Sequence, residues 1–144
     1  MPLPGPVSID DRLTITDLIH RFYWLVDHDQ AEQTAELFTK TARLTFGPGA
    51  PKPGTIEGAD IAAAMAARGR QTEVTTRHVL SNISLTARPD GSVAASSLLT
   101  LFRSESASRD SSPASIADIE EIFVRIAGEW FIQDRTVLPI FVRS

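Results

Sequence analysis

Cysteine is absent from this 144-residue chain, which removes disulfides, thiolate metal sites and a cysteine nucleophile at once. Lysine is scarce as well. The fourteen basic side chains include only Lys40 and Lys52 beside the arginines, and the net charge is −4. They are scattered without a basic stripe, so neither a phosphate-tracking surface nor a nucleic-acid partner is expected. No stretch approaches the ~20 continuous apolar residues of a membrane-spanning helix. The opening MPLPGPVSID also lacks the basic-then-apolar order of a secretory signal, so a cytoplasmic protein without a membrane partner is expected. The three histidines show no H-x-x-H or H-E-x-x-H spacing, which predicts no metal site. No nucleophile elbow, P-loop or dinucleotide glycine pattern occurs either, and no cofactor is expected.

What is present reads as one globular domain. Hydrophobic residues make up 42% and charged residues 22%, enough apolar surface for one core in a chain too short for two. Prolines at 2, 4 and 6 stiffen a leader over residues 1–7. Ser8, with Asp11 three residues on, then gives a capping-box-like helix start. Ile9, Leu13, Thr16, His20, Tyr23 and Asp27 recur at spacings of three or four, with Leu18, Phe22, Leu25 and Val26 widening the apolar side, which predicts an amphipathic helix. A break near His28–Gln30 separates it from a second short helix over residues 31–38.

Residues 42–46 predict a strand, ended by the surface loop GPGAPKPG. GADIAAAMAAR, residues 58–68, predicts a third helix by alanine propensity. Thereafter the pattern is β throughout: 72–87, a Pro89-Asp90-Gly91 turn, 92–104, a serine-rich loop over 105–113, and a hairpin of 115–126 with 129–142 about Ala127-Gly128. Helices first and strands after predict an α+β fold with a curved sheet around a helical layer.

Two residues carry the chemistry. Asp27 ends FYWLVD on the first helix, and His78 lies in TTRHVLSNISL on a strand. A neutral imidazole can accept a proton at physiological pH, and a carboxylate behind it fixes its tautomer and stabilises the imidazolium that forms. Tyr23, Trp24 and Asn82 are candidate donors to developing charge, and Phe46 and Leu80 candidate apolar walls. Plainer roles compete with each of these. Asp27 could cap the second helix, His78 could be a half-buried histidine satisfied by a carbonyl, and Tyr23 and Trp24 could be core. Glu120, Glu121 and Asp134 alternate with apolar residues as a solvent face does, unless a bulge turns one inward.

Phe22-Tyr23 to Asp27, Glu36-Leu37-Phe38, the run Arg77 to Asn82, and Gly128-Glu129-Trp130 to Arg135 resemble the SnoaL-like branch of the nuclear transport factor 2-like superfamily. The resemblance runs over nearly the whole chain from Ser8. It implies a cone-shaped, barrel-like curved mixed sheet wrapping three N-terminal helices around a deep central pocket. Within that superfamily the chain is similar to the scytalone dehydratase and hexachlorocyclohexane dehydrochlorinase group, which implies Asp27 and His78 as a catalytic pair. Val26 stands where scytalone dehydratase has a tyrosine, and the strand over 92–103 has no histidine, so scytalone is not the implied substrate. The implied function is a cofactor-independent lyase or isomerase, dehydratase-like, acting on a small apolar cyclic or aromatic substrate. The alternative is a non-catalytic protein of the same fold that binds a hydrophobic ligand or serves as an assembly subunit. Strands rich in Val, Ile and Leu on both parities, such as Leu98, Leu99 and Leu101, predict a homo-oligomer, most simply a dimer.

Overall fold

The computed structural model describes residues 5–105 and 109–143. Residues 1–4 of the expected leader and 106–108 of the expected serine-rich loop lie outside the described residues.

Helix α1 spans Ile9–Asp27, and the Ser8 hydroxyl accepts the Asp11 N–H at 3.2 Å. Asp10 and Asp11 in its first turn suit the positive end of the helix dipole. The buried side is Ile15, Ile19, Phe22, Tyr23, Leu25 and Val26. This corrects the stripe expected to begin at Ile9 and Leu13, which are 77% and 61% exposed. Apolar residues fall on two sides of this helix, and the body of the protein covers one of them.

The chain breaks after Asp27, where Asp29 takes a left-handed conformation (φ 59°). A 3-10 helix, Ala31–Leu37, follows in place of an α-helix. Strand β1 covers Phe38–Phe46, and the short β2, Gly54–Glu57, pairs antiparallel to it at the end of the glycine- and proline-rich loop, where no strand was expected. Helix α2, Ala59–Gly69, buries Ile61 and Met65. Strands β3 (Thr75–Ala87), β4 (Val93–Ser104), β5 (Pro113–Ile126) and β6 (Glu129–Val142) complete the fold. Ala127 and Gly128 both have positive φ, 51° and 84°, as a two-residue hairpin turn of the primed type requires.

The six strands form one mixed sheet in the order β2-β1-β6-β5-β4-β3. β1 runs parallel to β6 and the other neighbours are antiparallel. Three helical segments and this open sheet make the cone-like α+β fold expected. The helical Ile15, Ile19, Phe22, Val26, Ile61 and Met65 share one core with the inner-face residues Leu85, Ala95, Leu99, Ile119, Phe123 and Ile132. Two register shifts decide which later residues face that core. One lies between Ser81 and Ser84 of β3, and the other sets Ile122 opposite Asp134 but Phe123 opposite Ile132. No helix among the described residues is long and apolar enough to cross a membrane.

Candidate active site

Asp27 is the last residue of α1, and β3 crosses beside it. Thr76, His78 and Leu80 occupy alternate positions of β3 and are more buried than their neighbours Arg77 and Val79, so they face the interior. The Asp27 carboxylate holds this junction together. Its Oδ1 accepts from the Thr76 hydroxyl at 2.8 Å and lies 2.6 Å from His78 Nδ1, while Oδ2 accepts the His78 backbone N–H at 2.8 Å. Arg77 donates to the Asp27 main-chain carbonyl at 2.9 Å, and Arg68 on α2 donates to the Thr76 hydroxyl oxygen at 2.9 Å. The side chains of His78 and Asp27 are 14% and 6% exposed, which leaves the imidazole a narrow opening.

Burial alone would raise the Asp27 carboxyl. The hydrogen bonds and charge of His78, together with the Thr76 hydroxyl, outweigh it and hold the group below its usual value. Asp27 is therefore a carboxylate at neutral pH. In a neutral imidazole facing that carboxylate, Nδ1 carries the proton and Nε2 the basic lone pair. The capping role for Asp27 does not apply, since Gln30 is the N-cap of the 3-10 helix and makes no side-chain cap bond. The partner of His78 is a carboxylate, not a carbonyl.

Tyr23, the chain's lone tyrosine, packs its ring 5.0 Å from the His78 ring. Arg135 also meets this ring, its guanidinium sitting 4.4 Å over the Phe22 ring and 4.7 Å over the Tyr23 ring. Arg135 pairs with Glu121 at 3.1 Å, and both side chains are almost wholly buried, 3% and 1% exposed. Burial raises the Glu121 carboxyl and lowers the Arg135 guanidinium, while the 3.1 Å contact between them favours the charged form of each.

Glu121 corrects the expectation of a solvent-facing residue. It shares its parity on β5 with the buried Ala117, Ile119 and Phe123, a signal that IADIEEIF carried. No bulge in β5 is needed to turn it inward. Arg135 was not singled out from sequence, because the shift in β6 places Ile132 and Arg135 both inside, three residues apart.

Two expected ligand contacts fall elsewhere. Trp24 is 63% exposed and stacks on His28 at 3.9 Å. One residue is about 100° around a helix, so Trp24 cannot share the face of Tyr23. Asn82 is exposed, with φ 55°, at the irregularity in β3, which ends the inward alternation before reaching it. Phe46 and Leu80 are partly buried and pack against the core. Two open clefts lie away from the dyad. One, of about 270 Å³, is lined by Ser8, Asp11, Arg125 and Trp130, and the other, of about 550 Å³, by Arg103, Ser112 and Arg143. Among the described residues no group of three or more His, Asp or Glu gathers as metal ligands.

Residues 7–136 match the SnoaL-like domain, and the chain belongs to that family. No curated protein matches significantly. Among solved structures, ActVI-ORFA from Streptomyces coelicolor is 18% identical, with a TM-score of 0.77 over 90% of this chain and 97% of its own. A scytalone dehydratase candidate from Novosphingobium aromaticivorans is 16% identical, with a TM-score of 0.78 over 94% and 87%. A Catenulispora acidiphila protein in complex with S-DNPA is also 16% identical, with a TM-score of 0.75 over 92% and 95%. At these identities the likeness is one of fold.

Proposed function

We propose that this SnoaL-like domain protein is a cofactor-independent lyase or isomerase of the dehydratase type, with His78 as general base and Asp27 as the group that orients it. The contact of Asp27 Oδ1 with His78 Nδ1 at 2.6 Å, at a nearly enclosed junction of helix and sheet, carries the reading. Nε2 takes a proton from a carbon of the substrate. In an elimination the C–H electron pair becomes the new double bond and the leaving group departs with its own pair; in an isomerisation the proton returns at another carbon. Asp27 stabilises the imidazolium meanwhile. Tyr23, Phe46 and Leu80 supply the aromatic and apolar wall, which suits a small cyclic or aromatic substrate. The second reading is a pocket protein that binds a small ligand without converting it; a fold neighbour of the chain is known in complex with S-DNPA.

A screen of small cyclic alcohols and halides, read by loss of water or hydrogen halide, separates the two. Turnover by the wild type, lowered about 10²–10⁴-fold in a folded His78→Ala variant, is the result expected of the lyase. Full activity in that variant would remove the dyad from the mechanism.

The sheet also suggests assembly. Val79, Leu138, Ile140, Phe141 and Val142 are 37–67% exposed, and an apolar surface of this kind is commonly covered by a symmetric copy. We expect a two-fold dimer; light scattering that finds a monomer at micromolar concentration would contradict it.

A further inference from the structure

Among the described residues three buried side-chain atoms have no hydrogen-bond partner: the Tyr23 hydroxyl, Glu121 Oε1 and Arg68 Nη1. Each is linked to the dyad by a short chain of contacts. The Tyr23 ring packs on His78, Arg68 bonds the threonine that holds Asp27, and Glu121 is anchored to the arginine that covers Tyr23. Buried polar atoms are nearly always paired, so three such atoms gathered around one dyad point to a place built to meet a polar group. Arg135 decides what Glu121 can offer. By taking Oε2 it leaves Oε1, an acceptor in the carboxylate form, as the free oxygen. Arg135 lies against both the Glu121 carboxylate and the Tyr23 ring, and the Tyr23 hydroxyl is itself able to donate.

We propose that Tyr23 and Glu121 form the oxygen-recognising end of the ligand site, Glu121 Oε1 accepting a hydrogen bond from a ligand hydroxyl and the Tyr23 hydroxyl donating to the oxygen of that same group. The ligand class is then a ring bearing an alcohol or phenol, not a halide or a plain hydrocarbon. The inference rests on the dyad reading for its placement. It narrows that reading, since in a substrate of this class the dyad works beside a bound hydroxyl.

Calorimetric titration of the whole protein with phenol and with its methyl ether, anisole, tests this without turnover, because neither has a leaving group to eliminate. Phenol should bind the wild type at least about ten-fold more tightly. Glu121→Gln should erase the difference, because Arg135 keeps the amide oxygen and the amide N–H₂ then faces the ligand as a donor. Tyr23→Phe should weaken both compounds. Equal affinities in the wild type, or no binding of phenol at millimolar concentration, would overturn the proposal. So would discrimination that survives in Glu121→Gln, which would reflect the size of the methyl group. If Glu121→Gln does not fold, the wild-type comparison and Tyr23→Phe still decide. No phenol preference in the wild type, with His78-dependent turnover intact, would count against Glu121 alone; a wild-type preference that Glu121→Gln erases, with turnover independent of His78, would count against the dyad alone.

Discussion

Asp27→Asn should lower kcat by about 10²–10⁴-fold on any substrate the wild type converts, with a much smaller change in KM. The carboxylate faces three hydrogens: the Thr76 hydroxyl, the His78 main-chain N–H and the His78 ring at Nδ1. An amide has one accepting oxygen and one donating nitrogen. With its nitrogen toward the ring, the amide selects the tautomer with the proton on Nε2, and the base is gone. With its nitrogen toward the main chain, a donor faces the His78 N–H and the junction of α1 with β3 is pushed apart. The first outcome acts mainly on the transition state, where imidazolium charge forms; the second misplaces the ring itself. Steady-state kinetics on a variant whose circular dichroism matches the wild type checks this; an unchanged kcat would show that Asp27 takes no part.

The same residue governs acid stability. The folded Asp27 titrates below its ordinary value, so its contribution is present above the unfolded-chain value and is lost as pH falls through the lower, folded one. Acid titration of Asp27→Asn should lack that component.

Glu121→Leu should destabilise the fold by about 3–5 kcal/mol, because it strands the buried Arg135 charge without its partner. The double variant Glu121→Leu/Arg135→Met should recover most of that loss, and replacing such a pair by apolar side chains can exceed the original stability by about 1–4 kcal/mol. The two positions are directly opposed on β5 and β6, so their effects are expected to be strongly non-additive. Urea denaturation of wild type, both single variants and the double variant measures the coupling. A double variant no more stable than Glu121→Leu would mean that the ion pair is not what the single change breaks.

Much of this was legible along the chain because it depends on local spacing. The Ser8 start of α1, the alanine-rich α2, the Ala127-Gly128 turn and the long β run follow from capping, propensity and turn chemistry. The pair Asp27 and His78 was legible through its local patterns and the family resemblance they carry. Glu121 was available in principle, since IADIEEIF alternates with the glutamate on the buried parity, but a carboxylate on that parity reads as solvent-facing until its partner is known.

The partner is what only the tertiary structure decided. Arg135 faces inward because β6 takes one extra residue between Ile132 and Asp134 relative to β5, and an inserted residue reverses every later side chain. Asn82 loses its place in the site through the same effect in β3, and Trp24 through its angle around α1. The parallel pairing of β1 with β6 leaves no mark on either strand alone, because it joins segments some ninety residues apart. What the chain by itself determined is which groups can do proton chemistry. Which of them share an interior was settled by strand register and helix rotation, properties of pairs of elements that no single segment encodes.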